Sequence, residues 1–192
     1  ITKQSMVVEV ASNDGYLLKN FLSAGIPCLG VEPTKSTASE ARKFGIPVVE
    51  EFFSESLGSE IAVQYGKADL IIGNNVYAHV PDINDFTRGL KALLKQDGTI
   101  SLEFPHALEL IMQAQFDTIY HKHFSYLSLH STITVFKASG LRIWKAESLT
   151  THCGSLRVFG CHFSDSRLED KSVAMILNAE KASGLQEIST YL

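Results

Sequence analysis

Two periodicities alternate along this chain. Residues 6–10 form a short apolar run that ends in the turn cluster Ala11-Ser12-Asn13-Asp14-Gly15. Over 16–24, Leu17, Leu18, Phe21 and Leu22 recur at helical spacing until Gly25 stops them. A second strand is predicted over 27–32, closed by Pro33. A short helix over 37–44 ends at Gly45, and a third strand follows over 46–50. Residues 55–65 read as a helix and the apolar stretch 69–73 as a fourth strand running into Asn74-Asn75. Pro81-Asp82 opens a helix that carries Leu90, Leu93 and Leu94 and is stopped by Asp97-Gly98; a fifth strand follows over 99–104. Helices are predicted over 107–115 and 129–139. Two last strands, 141–147 and 155–163, are long enough to pair as an antiparallel hairpin.

Strand and helix alternating with short punctuation is the pattern of an α/β fold: a doubly wound, Rossmann-like, seven-stranded, mostly parallel sheet with an antiparallel last strand. Residues 1–165 are read as one cofactor-binding domain. Residues 166–192 look helical and are read as a connector to a further domain. The abrupt opening on Ile1-Thr2-Lys3 suggests a piece of something longer.

Composition narrows the function classes. The 192 residues are 45% hydrophobic and 20% charged, as in a globular domain. Net charge is -4, from 17 Lys+Arg against 21 Asp+Glu, with no basic run, so a nucleic-acid partner has no electrostatic support. Cys28, Cys153 and Cys161 are too scattered for a disulfide framework or a metal knuckle. With no secretory or membrane segment, they point to the cytoplasm.

In open parallel sheets ligands bind where the carboxyl ends of the central strands diverge. The first such end runs from Glu9 through Ala11, Ser12 and Asn13 to Gly15. Its single glycine fits a dinucleotide diphosphate poorly and suits a ligand that needs less close backbone approach. Glu32 ends the second strand at about the spacing, roughly 20 residues, at which an acid reaches ribose hydroxyls. Pro33 follows it, and Phe52-Phe53 beyond the third strand offer rings for a base to stack on, although such pairs are also common in cores. Asn74 and Asn75 bring amides to the centre of the cleft. His79, Tyr120 and His123 are the candidates for acid–base chemistry.

Several blocks resemble the deoxysugar C-methyltransferases. They are Val8-Glu9-Val10-Ala11-Ser12-Asn13-Asp14-Gly15, Asn74-Asn75-Val76-Tyr77-Ala78-His79-Val80-Pro81-Asp82, and Glu103-Phe104-Pro105-His106. Gln115-Phe116-Asp117-Thr118-Ile119-Tyr120-His121 continues them, as do His123-Phe124-Ser125-Tyr126-Leu127-Ser128-Leu129, Thr151-His152 and Gly154-Ser155-Leu156-Arg157-Val158. The strand order fits the class I methyltransferase variant of the sheet, which lacks a helix between its last two strands. The resemblance implies S-adenosyl-L-methionine as cofactor and a nucleotide-linked keto-deoxysugar as substrate. It also implies an N-terminal zinc-binding domain and a C-terminal domain outside this stretch. Glu9, Ala11, Ser12, Asn13, Gly15, Glu32, Pro33, Phe52, Phe53, Asn74 and Asn75 would hold the cofactor, and no metal is expected in this part of the protein.

Carbon becomes nucleophilic only after a proton beside a carbonyl is removed, which requires a base and a donor for the enolate oxygen. His123 matches the second histidine of the family's Tyr-His-Glu-His block and is the expected base. Tyr120 would hold the sugar or the enolate oxygen, and His79 is the second imidazole. Lys122 stands where the family has Glu, and Cys153 where it usually has Gly. Lys122 keeps a non-catalytic cofactor-binding relative open as an alternative. A nicotinamide-dependent oxidoreductase shares the sheet, and the seven histidines raise a metal-dependent hydrolase, although no HExxH is present.

Overall fold

The computed structural model describes residues 1–191, with only the backbone of His152 and Tyr191. Leu192, the end of the expected helical tail, lies outside the described residues. The strands are β1 (Val7–Val10), β2 (Cys28–Val31), β3 (Val48–Val49), β4 (Ala68–Asn74), β5 (Leu94–Pro105), β6 (Leu141–Leu149) and β7 (Ser155–His162). They form one sheet in the order β3-β2-β1-β4-β5-β7-β6. The first five run parallel, and β7 lies antiparallel between β5 and β6. The 3-10 turn Thr151–Cys153 joins β6 to β7. So short a connection cannot make a parallel crossover, which fixes β7 as the antiparallel strand.

The helices are α1 (Leu18–Ser23), α2 (Lys35–Lys43), α3 (Glu55–Gln64), α4 (Ile83–Leu93), α5 (Ala107–Met112), α6 (Leu129–Ala138) and α7 (Lys171–Ala182). They cover both faces of β1, which explains why Val7, Val8 and Val10 are apolar on both faces. Val8 and Val10 enter the larger core with Leu57, Phe86, Leu90 and Phe136, whereas Val7 packs with Leu18, Ala41 and Ile46. Side chains alternate along a strand, so Glu9 shares the face of Val7 and points toward α1 and α2. Chain order reverses at β1, where β2 lies on one side and β4 on the other. That reversal opens the crevice at the strands' carboxyl ends.

Two predicted boundaries are corrected. The fourth helix ends at Leu93, not at Asp97-Gly98, and passes straight into β5. Leu93 and Leu94 are both fully buried, and Leu94 already pairs with Ala68. Burial outweighs the turn signal, and Asp97-Gly98 falls where the ladder slips before Leu70 pairs with Thr99. The helix after β5 ends at Met112, not at Gln115. Ala114 turns left-handed at φ 51°, Gln115 N–H returns to the Leu110 carbonyl at 2.9 Å and Ala114 N–H to that of Ile111 at 3.2 Å. These two bonds close a Schellman stop. Helical structure in the tail is realised in α7, which packs on β6 and α6.

Candidate active site

At the carboxyl end of β1 the backbone takes three left-handed residues: Ala11 at φ 58°, Asn13 at 53° and Gly15 at 78°. A Cβ on Gly15 would stand 2.4 Å from Ile46 Cδ1, so the loop needs glycine there for space as well as for angle. Gly30 on β2 leaves room for Ser12, whose Oγ would lie 2.4 Å from a Cβ at that position. Glu32 ties the two strand ends together. Its Oε2 accepts Asn13 N–H at 3.1 Å and its Oε1 accepts Thr34 N–H at 2.9 Å. Each carboxylate oxygen retains a further lone pair.

Beside this loop two buried acceptors, Glu9 Oε2 and Ser12 Oγ, have no hydrogen-bond partner among the described residues. Burial, and after it the charge of Asp14, pushes Glu9 up to about 8. Unpartnered polar atoms in a protein interior are rare and costly. A loop that keeps two of them over small residues fits a ligand that brings a cationic or donor group.

An apolar cavity of about 630 Å³ opens next to the loop. Ala11, Pro33, Phe52, Phe53, His79 and Phe124 contribute to its wall. The structure divides the phenylalanine pair. Phe52 is 82% exposed at the cavity mouth, whereas Phe53 meets the ring of Phe86 edge-on at 5.1 Å. Among the other cofactor candidates, Ser12, Asn13 and Gly15 lie in the adjoining loop, Glu9 lies in β1 before it, and Glu32 holds it from the end of β2. Asn74 ends β4, and Asn75 at φ 53° donates its N–H to the Glu103 carbonyl at 2.8 Å.

The acid–base candidates converge through a turn. His123 N–H closes back on the Tyr120 carbonyl at 3.0 Å, which brings the phenol oxygen within 3.2 Å of His123 Nε2. A neighbouring 3-10 turn, Tyr77–His79, anchors the segment, because the Ala78 carbonyl accepts N–H groups from Phe124 (2.9 Å) and Ser125 (3.3 Å). The His79 and His123 rings then lie 4.6 Å apart, and Tyr120 lies 4.4 Å from His123 on centroids.

Backbone carbonyls fix the tautomers. His123 Nδ1 lies 2.9 Å from the Thr118 carbonyl, which can only accept, so Nδ1 carries the hydrogen and Nε2 keeps its lone pair. His79 Nδ1 donates in the same way to the Lys122 carbonyl at 2.9 Å. Burial lowers the His123 pKa, the Thr118 carbonyl works against it, and His79 lowers it further; the net direction is down. The result is a neutral imidazole with its basic nitrogen against a phenol. Lys122 contributes its carbonyl, while its side chain is exposed. Cys153 adopts φ 59°, the conformation for which glycine is best suited. Among the described residues no group of three or more His, Cys, Asp or Glu could hold a metal ion. No helix among them is long and apolar enough to cross a membrane.

Residues 2–146 match the family model of a methyltransferase domain. The chain belongs to this methyltransferase family. It is 38% identical over 191 residues to the C-methyltransferase NovU of Streptomyces niveus, covering all of this chain and 46% of that protein. The chain therefore spans about half the length of the curated relative it matches. Solved structures share the fold at low identity. The magnesium protoporphyrin IX methyltransferase ChlM of Synechocystis, determined with bound SAH, superposes with a TM-score of 0.63 at 13% identity, covering 82% of this chain and 74% of that one. A SAM-dependent methyltransferase from Anabaena variabilis gives 0.66 at 14% identity, covering 84% and 79%. Within this methyltransferase domain, sequence reasoning missed the carbonyls of Thr118, Ala78 and Lys122, because a backbone atom leaves no residue-type signal. It also left Phe124 out of the site, although the motif that contains it was visible.

Proposed function

We propose that this chain is the cofactor-binding and catalytic core of a C-methyltransferase acting on a nucleotide-linked keto-deoxysugar. Its methyl donor is S-adenosylmethionine. The observation that carries this reading is the hydrogen-bonded Tyr120–His123 pair set against His79, which lines a cavity that adjoins the Glu9–Gly15 loop. The unpartnered Glu9 and Ser12 oxygens would take the donor groups of the cofactor's amino-acid end. Glu32 holds the loop and offers its remaining lone pairs to ribose hydroxyls, and Phe52 and Pro33 line the space for the adenine. When bound, the cofactor supplies an electrophilic methyl on a sulfonium.

His123 Nε2 takes the proton from the sugar carbon beside the carbonyl, and the C–H electron pair becomes the enolate. Arrival of that proton on Nε2 leaves an imidazolium, which the Thr118 carbonyl continues to orient through Nδ1–H. Tyr120 O–H, which now points at Nε2, is the donor in reach of the enolate oxygen once Nε2 is protonated. The relative's C-methyltransferase name supports transfer to carbon, and the deoxysugar reading rests on the resemblance of the motifs. Residues 1–165 would form the cofactor domain, and flanking zinc-binding and C-terminal domains would complete the sugar site, in the cytoplasm where the three thiols stay reduced.

The deciding experiment follows substrate hydrogen in heavy water with the full-length enzyme and a nucleotide-linked keto-deoxysugar, without methyl donor. Wild type exchanges the hydrogen beside the carbonyl, and His123→Ala loses exchange and methylation while its affinity for S-adenosylhomocysteine stays within about threefold. Equal exchange in the two proteins would remove His123 as the base. A sugar methylated on oxygen would remove the C-methylation.

A further inference from the structure

Tyr120 and His123 lie on the long segment between β5 and α6, whose two ends meet one buried carboxylate. Glu180, in the last turn of α7, is 0% exposed, and its partner His106, just beyond β5, is 2% exposed. Glu180 Oε1 accepts His106 Nε2–H at 2.8 Å and Leu129 N–H at 2.5 Å, and Oε2 accepts His130 N–H at 3.1 Å. His106 is where the segment leaves the sheet; Leu129 and His130 are where it enters α6. The ends also touch directly, through Ala107 N–H to the Leu127 carbonyl at 2.9 Å.

Hydrogen bonds from His106, Leu129 and His130 outweigh the burial that would raise the Glu180 pKa and hold it below the usual carboxylate range. Carboxylate at the first turn of α6 also meets the positive end of that helix. Apart from these three contacts, α7 docks through apolar packing of Val173, Ile176 and Leu177 on the core.

We propose that Glu180 is a positioning residue for the catalytic segment. By setting the spacing between His106 and the start of α6, it fixes where Tyr120 and His123 stand beside His79, which lines the cavity. This rests on the proposed role of His123 and extends it to a helix that the sequence marked only as a connector. It also makes α7 a mechanical link, since a displacement of that helix pulls both ends of the segment together.

Glu180→Gln keeps the shape but turns an N–H₂ toward one of the three donors. In the full-length enzyme kcat is expected to fall roughly 10–100-fold, since ångström-scale misplacement costs about that much. The KM for S-adenosylmethionine stays within about twofold. Amide exchange at His123, Phe124 and Ser125 accelerates at least about tenfold by local opening, while exchange in the Glu9–Gly15 loop does not change. Val173→Ala, which thins the packing of α7 and leaves the carboxylate, lowers Tm without moving kcat or those amides. Should Glu180→Gln not fold, Glu180→Asp, one methylene shorter, carries the test with the same directions expected. Wild-type kcat and exchange in the glutamine or aspartate variant overturn the proposal, as does Val173→Ala reproducing both effects. Because exchange needs no substrate, faster exchange in a protein with no methyl transfer would defeat the assigned reaction and leave the positioning role standing.

Discussion

Glu9 offers a perturbation whose size can be worked through. The residue is 6% exposed, Oε2 has no partner among the described residues, and burial followed by the Asp14 charge moves the carboxyl from an ordinary 4.5 to about 8. At 1.36 kcal/mol per pH unit, ionised Glu9 costs the folded state about 5 kcal/mol. Between pH 4.5 and 8 the folded protein keeps a proton that the unfolded chain has released. Stability from this group is therefore fully present below about 4.5 and falls by about 1.4 kcal/mol per pH unit until about pH 8. Glu9→Gln preserves shape and abolishes the titration. In thermal melts without ligand its Tm, relative to wild type, rises steadily from pH 5 to pH 8. At about 2–4 °C per kcal/mol for a domain this size, the relative gain is on the order of 10 °C. On the proposed pairing of Glu9 with the ligand's ammonium, the same variant is expected to weaken S-adenosylhomocysteine binding, and wild type to release about one proton on binding near pH 7, measurable by calorimetry in buffers of different ionisation enthalpy. Parallel Tm–pH curves for the two proteins would refute the buried-acid account, and binding without proton release would refute the pairing.

The neutral state of His123 places the acid limb of kcat below about 6.5, the ordinary histidine value, in the full-length enzyme; a limb at 7 or above would contradict its surroundings. Gly30→Ala would drive a methyl to 2.4 Å from Ser12 Oγ, so it should cost about 1–3 kcal/mol in chemical denaturation and weaken cofactor affinity; wild-type values for both would show that the loop gives way freely. Lys122→Glu, at an exposed side chain, should move stability by no more than about 0.5 kcal/mol and kcat by less than threefold; a tenfold gain would mean that the family's acid belongs in the chemistry.

Local signals carried much of this protein. Apolar runs and glycine stops placed the alternating strands and helices. The short link between the last two strands predicted their hairpin, because chain connectivity alone forbids a parallel pair there. The turn cluster after β1 was equally legible, since left-handed residues and close backbone contacts demand small side chains. Burial decided what propensity could not: Leu93-Leu94 carried the chain from helix to strand ahead of the Asp97-Gly98 turn, and Phe52 parted from Phe53. The meeting of His123 with Tyr120 came from a turn, and their neighbour His79 from a carbonyl contact 43 residues away in sequence. The buried Glu180 clamp spans 74 positions from His106. Such contacts join groups whose partners are set by packing and backbone geometry, and no local pattern of residue types encodes them.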